Sequence, residues 1–259
     1  MHHPCPEEEG AYPLSMKTTG TRLWCITRMP DIPKRSAFVL PGAFYGSVVG
    51  LMAEAGYTKA NSIEEADVVV FIGGSDINPS LYDQRNVASG GINTVRDDLE
   101  VTAYKTARAL NKVCFGICRG AQFLHAMNGG KLWQDVNNHG GRDHFIVDID
   151  EDVRVLATSL HHQMLQPNGK IEVIAVTEEK VATHFRDDST DVTLGKSPES
   201  ALLEIEAGAY SDTKCFFVQG HPEIGSPEYR AWTMSKLEDL ILDWTNQTRQ
   251  IADVLAPSN

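Results

Sequence analysis

Residues 67–72 (DVVVFI) form a continuous apolar run, β-branched and aromatic, closed by Gly73-Gly74. Such a run predicts a strand buried on both faces, the kind that belongs to parallel sheets. Residues 112–117 (KVCFGI) predict a second strand of this type, and residues 37–40 a shorter extended segment. Residues 23–27 (LWCIT) read as one more short buried strand, followed by a turn at Pro30 and Pro33. Helical spacing of apolar positions covers 46–56, 96–110 and 120–127, the last stopped by Asn128-Gly129-Gly130. The second half is richer in strands, expected at 144–148, 172–177, 200–207 and 215–219, and a helix is expected over 227–246. Strand and helix alternate through the first half, which predicts a doubly wound α/β fold with a mostly parallel central sheet flanked by helices. No repeat interrupts the chain. Residues 1–20 are expected to be a flexible N-terminal segment and residues 21–259 a single domain.

Composition narrows the partners. The 259 residues carry a formal charge of −12, and no local basic cluster offsets it. A surface that acidic repels a phosphate backbone, so nucleic acid is not an expected partner. No window approaches the roughly 18 apolar residues of a membrane helix, so no membrane partner is expected either. Five cysteines spaced without pairs or Cys-x-x-Cys knuckles fit neither a disulfide framework nor a zinc knuckle. A reducing, cytoplasmic setting follows.

Candidate chemistry begins at Gly116-Ile117-Cys118-Arg119-Gly120, where a buried strand meets a helix. Glycines two positions either side of a cysteine permit a sharp turn that lifts its side chain from the sheet edge. The helix N-terminus favours the thiolate, the attacking form. The N–H of Arg119 is placed to meet a developing oxyanion. Cys114, in the strand body, is expected to be an inert core residue.

A thiolate nucleophile needs a base, and the base needs an orienting group. Gln219-Gly220-His221-Pro222-Glu223 follows the apolar strand at 215–219. His221 would therefore stand at a strand end like Cys118, with Pro222 restricting the backbone that carries Glu223 against the imidazole.

Gly-Ile-Cys-Arg-Gly-Ala-Gln at 116–122 and Gly-His-Pro-Glu at 220–223 together resemble the class I glutamine amidotransferases, which carry a Cys-His-Glu triad on a flavodoxin-like sheet. Four more segments are similar to the γ-glutamyl hydrolase branch, which includes γ-glutamyl-γ-aminobutyrate hydrolases. They are residues 73–82 (GGSDINPSLY), 96–100 (RDDLE), 129–135 (GGKLWQD) and 159–163 (SLHHQ). The chain also resembles stand-alone members found in bacteriophages. The resemblance implies Cys118, His221 and Glu223 as catalytic residues and the backbone of Gly74 and Arg119 as the oxyanion hole. It implies Gln122, Ser159 and Leu160 as contacts to the glutamyl end of the substrate. Residues 90–95 and 183–198 match no family feature, and no aromatic residue stands just before His-Pro-Glu.

The activity this implies is hydrolysis of γ-glutamyl amides through a γ-glutamyl thioester, with a small γ-glutamyl compound or glutamine as substrate and no cofactor. Two alternatives remain open: a glutaminase component delivering ammonia to a separate ligase or synthetase chain, and a catalytically silent regulatory subunit. His139, His144, His161, His162 and His184 are the histidines that a metal site would use. Their spacing is loose and no helix carries His-x-x-x-His, so no metal is expected.

Overall fold

The computed structural model describes residues 34–194 and 202–255, with side chains up to residue 250. The segment expected to be flexible (1–20) and the strand expected at 23–27 lie outside the described residues. From Lys34 onward the described residues belong to one compact unit.

The first half builds a parallel sheet. Strand β1 (Ser36–Val39) leads into helix α1 (Tyr45–Glu54), followed by β2 (Thr58–Lys59) and β3 (Val68–Phe71). Helix α2 (Thr94–Ala109), β4 (Val113–Ile117) and α3 (Arg119–Met127) come next. Apart from the two-residue β2, for which the pattern gives no sign, these elements match the hydrophobic pattern closely, the helices by their apolar spacing and the central strands by their unbroken apolar runs. Every residue of β3 and β4 is buried, as the unbroken apolar runs predict.

Short strands β5 (Leu132–Trp133) and β6 (Asp135–Val136) open the second half, followed by β7 (His144–Asp148), β8 (Val153–Ala157) and β9 (Met164–Leu165). Then come β10 (Glu172–Thr177), β11 (His184–Arg186), β12 (Asp191–Thr193), β13 (Ile205–Tyr210), β14 (Cys215–Val218) and α4 (Pro227–Leu255). The main sheet runs β2-β1-β3-β4-β14-β13-β10-β7-β8. Its pairings are parallel from β2 through β14 and antiparallel from β14 to β8. The mixed α/β fold with a parallel centre flanked by helices is therefore the one expected, extended by an antiparallel wing.

Two departures have local causes. The strand expected at 200–207 lies instead at Ile205–Tyr210, including Ala-Gly-Ala, which has little strand propensity of its own. It is buried throughout and hydrogen-bonded on both sides, by β14 and by β10, so pairing overrides propensity. Residues 183–193, unmatched to any family feature, form the β11–β12 hairpin, which pairs with β6 in a separate three-stranded sheet.

Side chains alternate across the parallel strands into two cores. Val68, Val70, Phe115, Ile117, Phe216 and Val218 pack with α1 and α4 on one face. Val69, Phe71, Cys114, Cys215 and Phe217 pack with α2 and α3 on the other. Burying each large apolar side chain is worth about 1.5–3 kcal/mol, so this two-sided burial holds the three central strands in fixed register. Among the described residues, no helix is long and apolar enough to cross a membrane.

Candidate active site

Strands β3, β4 and β14 are adjacent and parallel, with Phe71 opposite Gly116 and Val218 opposite Ile117. Their carboxyl ends consequently open at one sheet edge, the place where open α/β sheets gather functional groups. Gly73-Gly74 follows β3, Cys118 follows β4, and His221 follows β14.

Cys118 has φ 53° and ψ −108°, a conformation sparsely populated by any residue with a side chain. Such a backbone costs about 1–3 kcal/mol and persists only where surrounding structure over-determines it. Here Cys118 N donates to Val218 O (2.9 Å) and Cys118 O accepts from Gln122 N (3.1 Å), fixing the turn on both sides. The flanking glycines act through packing. A Cβ on Gly116 would meet Gly120 O at 2.7 Å, and one on Gly120 would collide with the carbonyl oxygen of Phe71. Both glycines let α3 press against the sheet, and the positive φ falls on the cysteine itself.

His221 is 3% exposed and Glu223 4%. Pro222–Ile224 forms a 3-10 turn that folds the carboxylate back, placing Glu223 Oε1 2.7 Å from His221 Nδ1. Glu223 Oε2 has no hydrogen-bond partner, so the carboxylate is committed to the histidine. Burial disfavours a charged ring, yet contacts with the Cys118 thiol and the Glu223 carboxylate outweigh it and carry the His221 pKa up to about 10. The backbone N–H of His221 donates to Thr158 O at 2.9 Å, anchoring the histidine to the loop after β8.

The glycine loop is held with equal care. Gly73 O accepts from Ala43 N (3.0 Å) and from Arg96 Nη1 (3.1 Å), while Ile72 O accepts from Arg96 Nη2 (2.8 Å). Across a planar trans peptide the N–H of Gly74 points opposite to that carbonyl, away from Arg96. A Cβ on Gly73 would lie 3.0 Å from His221 Cε1 and 3.9 Å from Cys118 Cβ, which locates the loop directly over the cysteine and histidine. Arg119 begins α3, where the first N–H groups of a helix lack intrahelical partners.

The expected substrate contacts are placed less uniformly. Gln122 is buried in the first turns of α3, and its carboxamide has no hydrogen-bond partner among the described residues. Ser159 is fully buried, and its hydroxyl donates to His139 O at 2.6 Å while its carbonyl accepts from Gly141 N at 2.8 Å. Leu160 is exposed and bridges to Gly140. Cys114 is wholly buried in β4, and hydrogen bonding to Cys215 together with burial pushes its thiol well up. Of the five histidines considered for a metal, His139, His144 and His161 come together. His162 pairs instead with Asp76 and Asp135, and His184 with Asp191.

Two features escaped the sequence reading. Arg119 is 1% exposed and is ion-paired to both Asp97 and Glu100, and Glu100 also pairs with Arg96 at 2.9 Å. This buried network ties the glycine loop, α2 and the start of α3 into one body. Its signal lay in α2, where Asp97 and Glu100 continue the buried stripe of Ala103, Tyr104 and Ala107. The second is Phe44, whose ring stands edge-on to His221 with centroids 5.4 Å apart. An aromatic neighbour absent from the residues beside His221 is thus supplied from the start of α1.

These strand-end groups on a parallel α/β sheet define the class I glutamine amidotransferase fold. The family model Peptidase C26 matches residues 43–223, and the chain belongs to this family. It is 37% identical over 78 residues to the glutamine amidotransferase-like protein YvdE of Lactococcus lactis subsp. lactis, a match covering 30% of this chain and 33% of that one. It is 30% identical over 130 residues to the YvdE homolog of Lactococcus lactis subsp. cremoris, covering 42% of this chain and 69% of that one. The chain thus spans about a third of the first relative and about two thirds of the second. A glutamine amidotransferase from Thermotoga maritima superposes with a TM-score of 0.50 at 13% identity, covering 81% of this chain and 85% of that one, a likeness of fold.

Proposed function

We propose that this chain hydrolyses γ-glutamyl amides, with Cys118 as nucleophile, His221 as general acid and base, and Glu223 as orienting carboxylate. The observation that carries this reading is the placement of His221 between a strained cysteine and a dedicated buried carboxylate, with its pKa raised to about 10. A histidine with that pKa is an imidazolium at neutral pH, and it stabilises a neighbouring thiolate.

Cys118 Sγ attacks the γ-carbonyl carbon, and the C=O electron pair moves onto oxygen. The N–H groups of Gly74 and Arg119 receive the oxyanion, each worth about 2.7–4 kcal/mol of barrier. The tetrahedral intermediate collapses, the C–N bond breaks, and His221 gives its proton to the departing amine. Neutral His221 then takes a proton from water as the water attacks the thioester. Glutamate leaves and the thiolate–imidazolium pair is restored. Gln122, buried on the first turns of α3 with a free carboxamide, contacts the α-amino or α-carboxylate end of the glutamyl group. Backbone atoms at Ser159 and Leu160 line the same end. A cysteine enzyme of this kind works in a reducing compartment, the cytoplasm.

Glutamate release by wild type and Cys118→Ala tests the proposal, using glutamine and a panel of γ-glutamyl amines and peptides. Turnover of γ-glutamyl amines by wild type alone, with little on glutamine, is the expected result. Cys118-dependent activity on glutamine only would replace hydrolysis with ammonia delivery to a separate synthetase. No turnover of any substrate by a folded wild type would rule out stand-alone hydrolysis, and thiol labelling of Cys118 would then separate a glutaminase that acts only with its synthetase from a silent chain.

A further inference from the structure

Behind the strand that carries His221 lies a buried polar cluster that the chemistry above does not use. Glu206 in β13 is 1% exposed, and three histidines converge on its Oε1. His144 Nε2 is 3.0 Å away, His139 Nδ1 3.3 Å and His161 Nε2 3.6 Å. They arrive from separate places in the chain: His144 from β7, His139 from the loop before it, and His161 from the loop after β8. All three are more than nine-tenths buried.

The outer ring nitrogens decide what the inner ones carry. His139 Nε2 lies 2.8 Å from Glu204 Oε2, His144 Nδ1 3.2 Å from Arg142 O, and His161 Nδ1 2.9 Å from Gln163 O. Gln219 Nε2 also lies 3.2 Å from His161 Nδ1, but it donates to the same Gln163 carbonyl at 2.8 Å. Each outer nitrogen therefore has an acceptor that holds the ring proton, the arrangement that sets the tautomer of metal-bound histidines. Three neutral rings so oriented aim three lone pairs at one carboxylate, an arrangement that repels unless a cation stands between them. A ring proton on His139 would be shared between Glu204 and Glu206, but it leaves the His161 lone pair facing the carboxylate. Protonating all three rings would pack three imidazolium ions in a buried space, which is costlier still. Hydrogen bonding absorbs only part of the convergence: His144 Nε2 is within hydrogen-bond distance of Glu206 Oε1, but His139 Nδ1, His161 Nε2 and Glu206 Oε2 have no hydrogen-bond partner. Metal bonds of about 2.0–2.1 Å at tetrahedral angles put neighbouring donor atoms about 3.3 Å apart. The three nitrogens stand 3.0–3.6 Å from Glu206 Oε1, and the donor atoms of His139, His144 and Glu206 lie within 4.8 Å of one another. The ligands therefore need close only slightly on an ion, with His161 completing the set.

We propose that His139, His144, His161 and Glu206 bind one divalent transition-metal ion as a closed four-ligand site. Imidazole nitrogens with one carboxylate suit zinc, whose four-coordinate geometry such a closed ligand set would satisfy. The fourth ligand explains why histidine spacing alone did not reveal the site: Glu206 reaches the cluster only through the pairing of β13 with β14 and β10. The ion would join the loop before β7, the loop after β8 and β13. Ser159 Oγ donates to His139 O (2.6 Å), and Gln219 N donates to Glu206 O (2.7 Å) two residues before His221. Metal binding thus fixes the substrate-side loop against the strand of the proposed general base.

The test is metal content by mass spectrometry of the full chain, purified from zinc-supplemented cells without a chelating column. Close to one zinc per chain is expected, as structural sites bind tightly. Glu206→Gln and His144→Ala each lower it by about tenfold or more, whereas His184→Ala, outside the cluster, retains it. Because a ligand variant can fail to fold, the wild type is also stripped with chelator. Its thermal midpoint should fall and return on adding Zn2+ but not Mg2+, and Co2+ should give the visible absorption of a tetrahedral site. Substoichiometric metal in the wild type, with no rise of the thermal midpoint on adding Zn2+, overturns the proposal.

Discussion

His221 Nδ1 and Glu223 Oε1 stand 2.7 Å apart across a single intervening proline, and both side chains are buried. Removing the carboxylate charge while keeping its shape should lower the His221 pKa, because Glu223 is one of the two groups that raise it. Glu223→Gln is expected to lose roughly 10²–10⁴ in kcat, as when a histidine loses the carboxylate that orients it. The alkaline limb of its pH–rate profile should move to lower pH. An unchanged profile would show that Glu223 does not hold His221.

The same shift makes stability depend on pH. The folded pKa of His221 is about 10 against an ordinary 6.5, so between those values the folded state holds a proton that the unfolded chain releases. Stability from this group is complete below about pH 6.5, declines above it and is lost as pH rises through the folded pKa. The thermal midpoint of wild type should fall more steeply between pH 7 and 10 than that of His221→Asn. Parallel curves would count against the raised pKa.

Gly120 is demanded by packing, since a Cβ there meets the backbone oxygen of Phe71, which cannot swing aside. Gly120→Ala should destabilise the fold by about 1–3 kcal/mol or more through overpacking. It should also impair activity by shifting α3 and the Arg119 N–H. Urea unfolding with an unchanged midpoint would contradict this.

Arg119 pairs in the dark with Asp97 and Glu100. Arg119→Met keeps the backbone N–H but leaves buried Asp97 without its cation and Glu100 with Arg96 alone, and a loss of about 3–5 kcal/mol is expected. Chemical denaturation measures the loss. A stability loss under about 1 kcal/mol would show that the network contributes no more than a surface pair.

Thiol reactivity separates the cysteines. Cys114 and Cys215 are wholly inaccessible, while Cys118 is 7% exposed beside an imidazolium. Peptide mapping after brief alkylation should find Cys118 modified well before the other two. Equal rates would support a silent, non-catalytic chain.

Except for β2, the strands and helices of the first half were legible because their apolar runs and helical spacings are long enough to be unambiguous. The unbroken run at β3, the glycines around Cys118 and the apolar face of α3 all carry local signatures. Strand β8 (VRVLA) also alternates between buried and exposed positions, a period the sequence carries. Two-residue strands such as β2 and β9 have no period to read and exist only through their partners.

For the site, the sequence by itself determined which groups are present: a cysteine between glycines at a strand end, a histidine–proline–glutamate turn, and a paired glycine loop. Those are local turn chemistries, and local chemistry survives without tertiary context. Tertiary structure alone decided what stands next to what. It made β3, β4 and β14 neighbours in one parallel register, so that three strand ends meet. It buried Arg119 against Asp97 and Glu100, set Phe44 against His221, and brought Glu206 among His139, His144 and His161. These contacts join residues tens of positions apart or more, and no local periodicity encodes distance between strands that pair only after the sheet has formed.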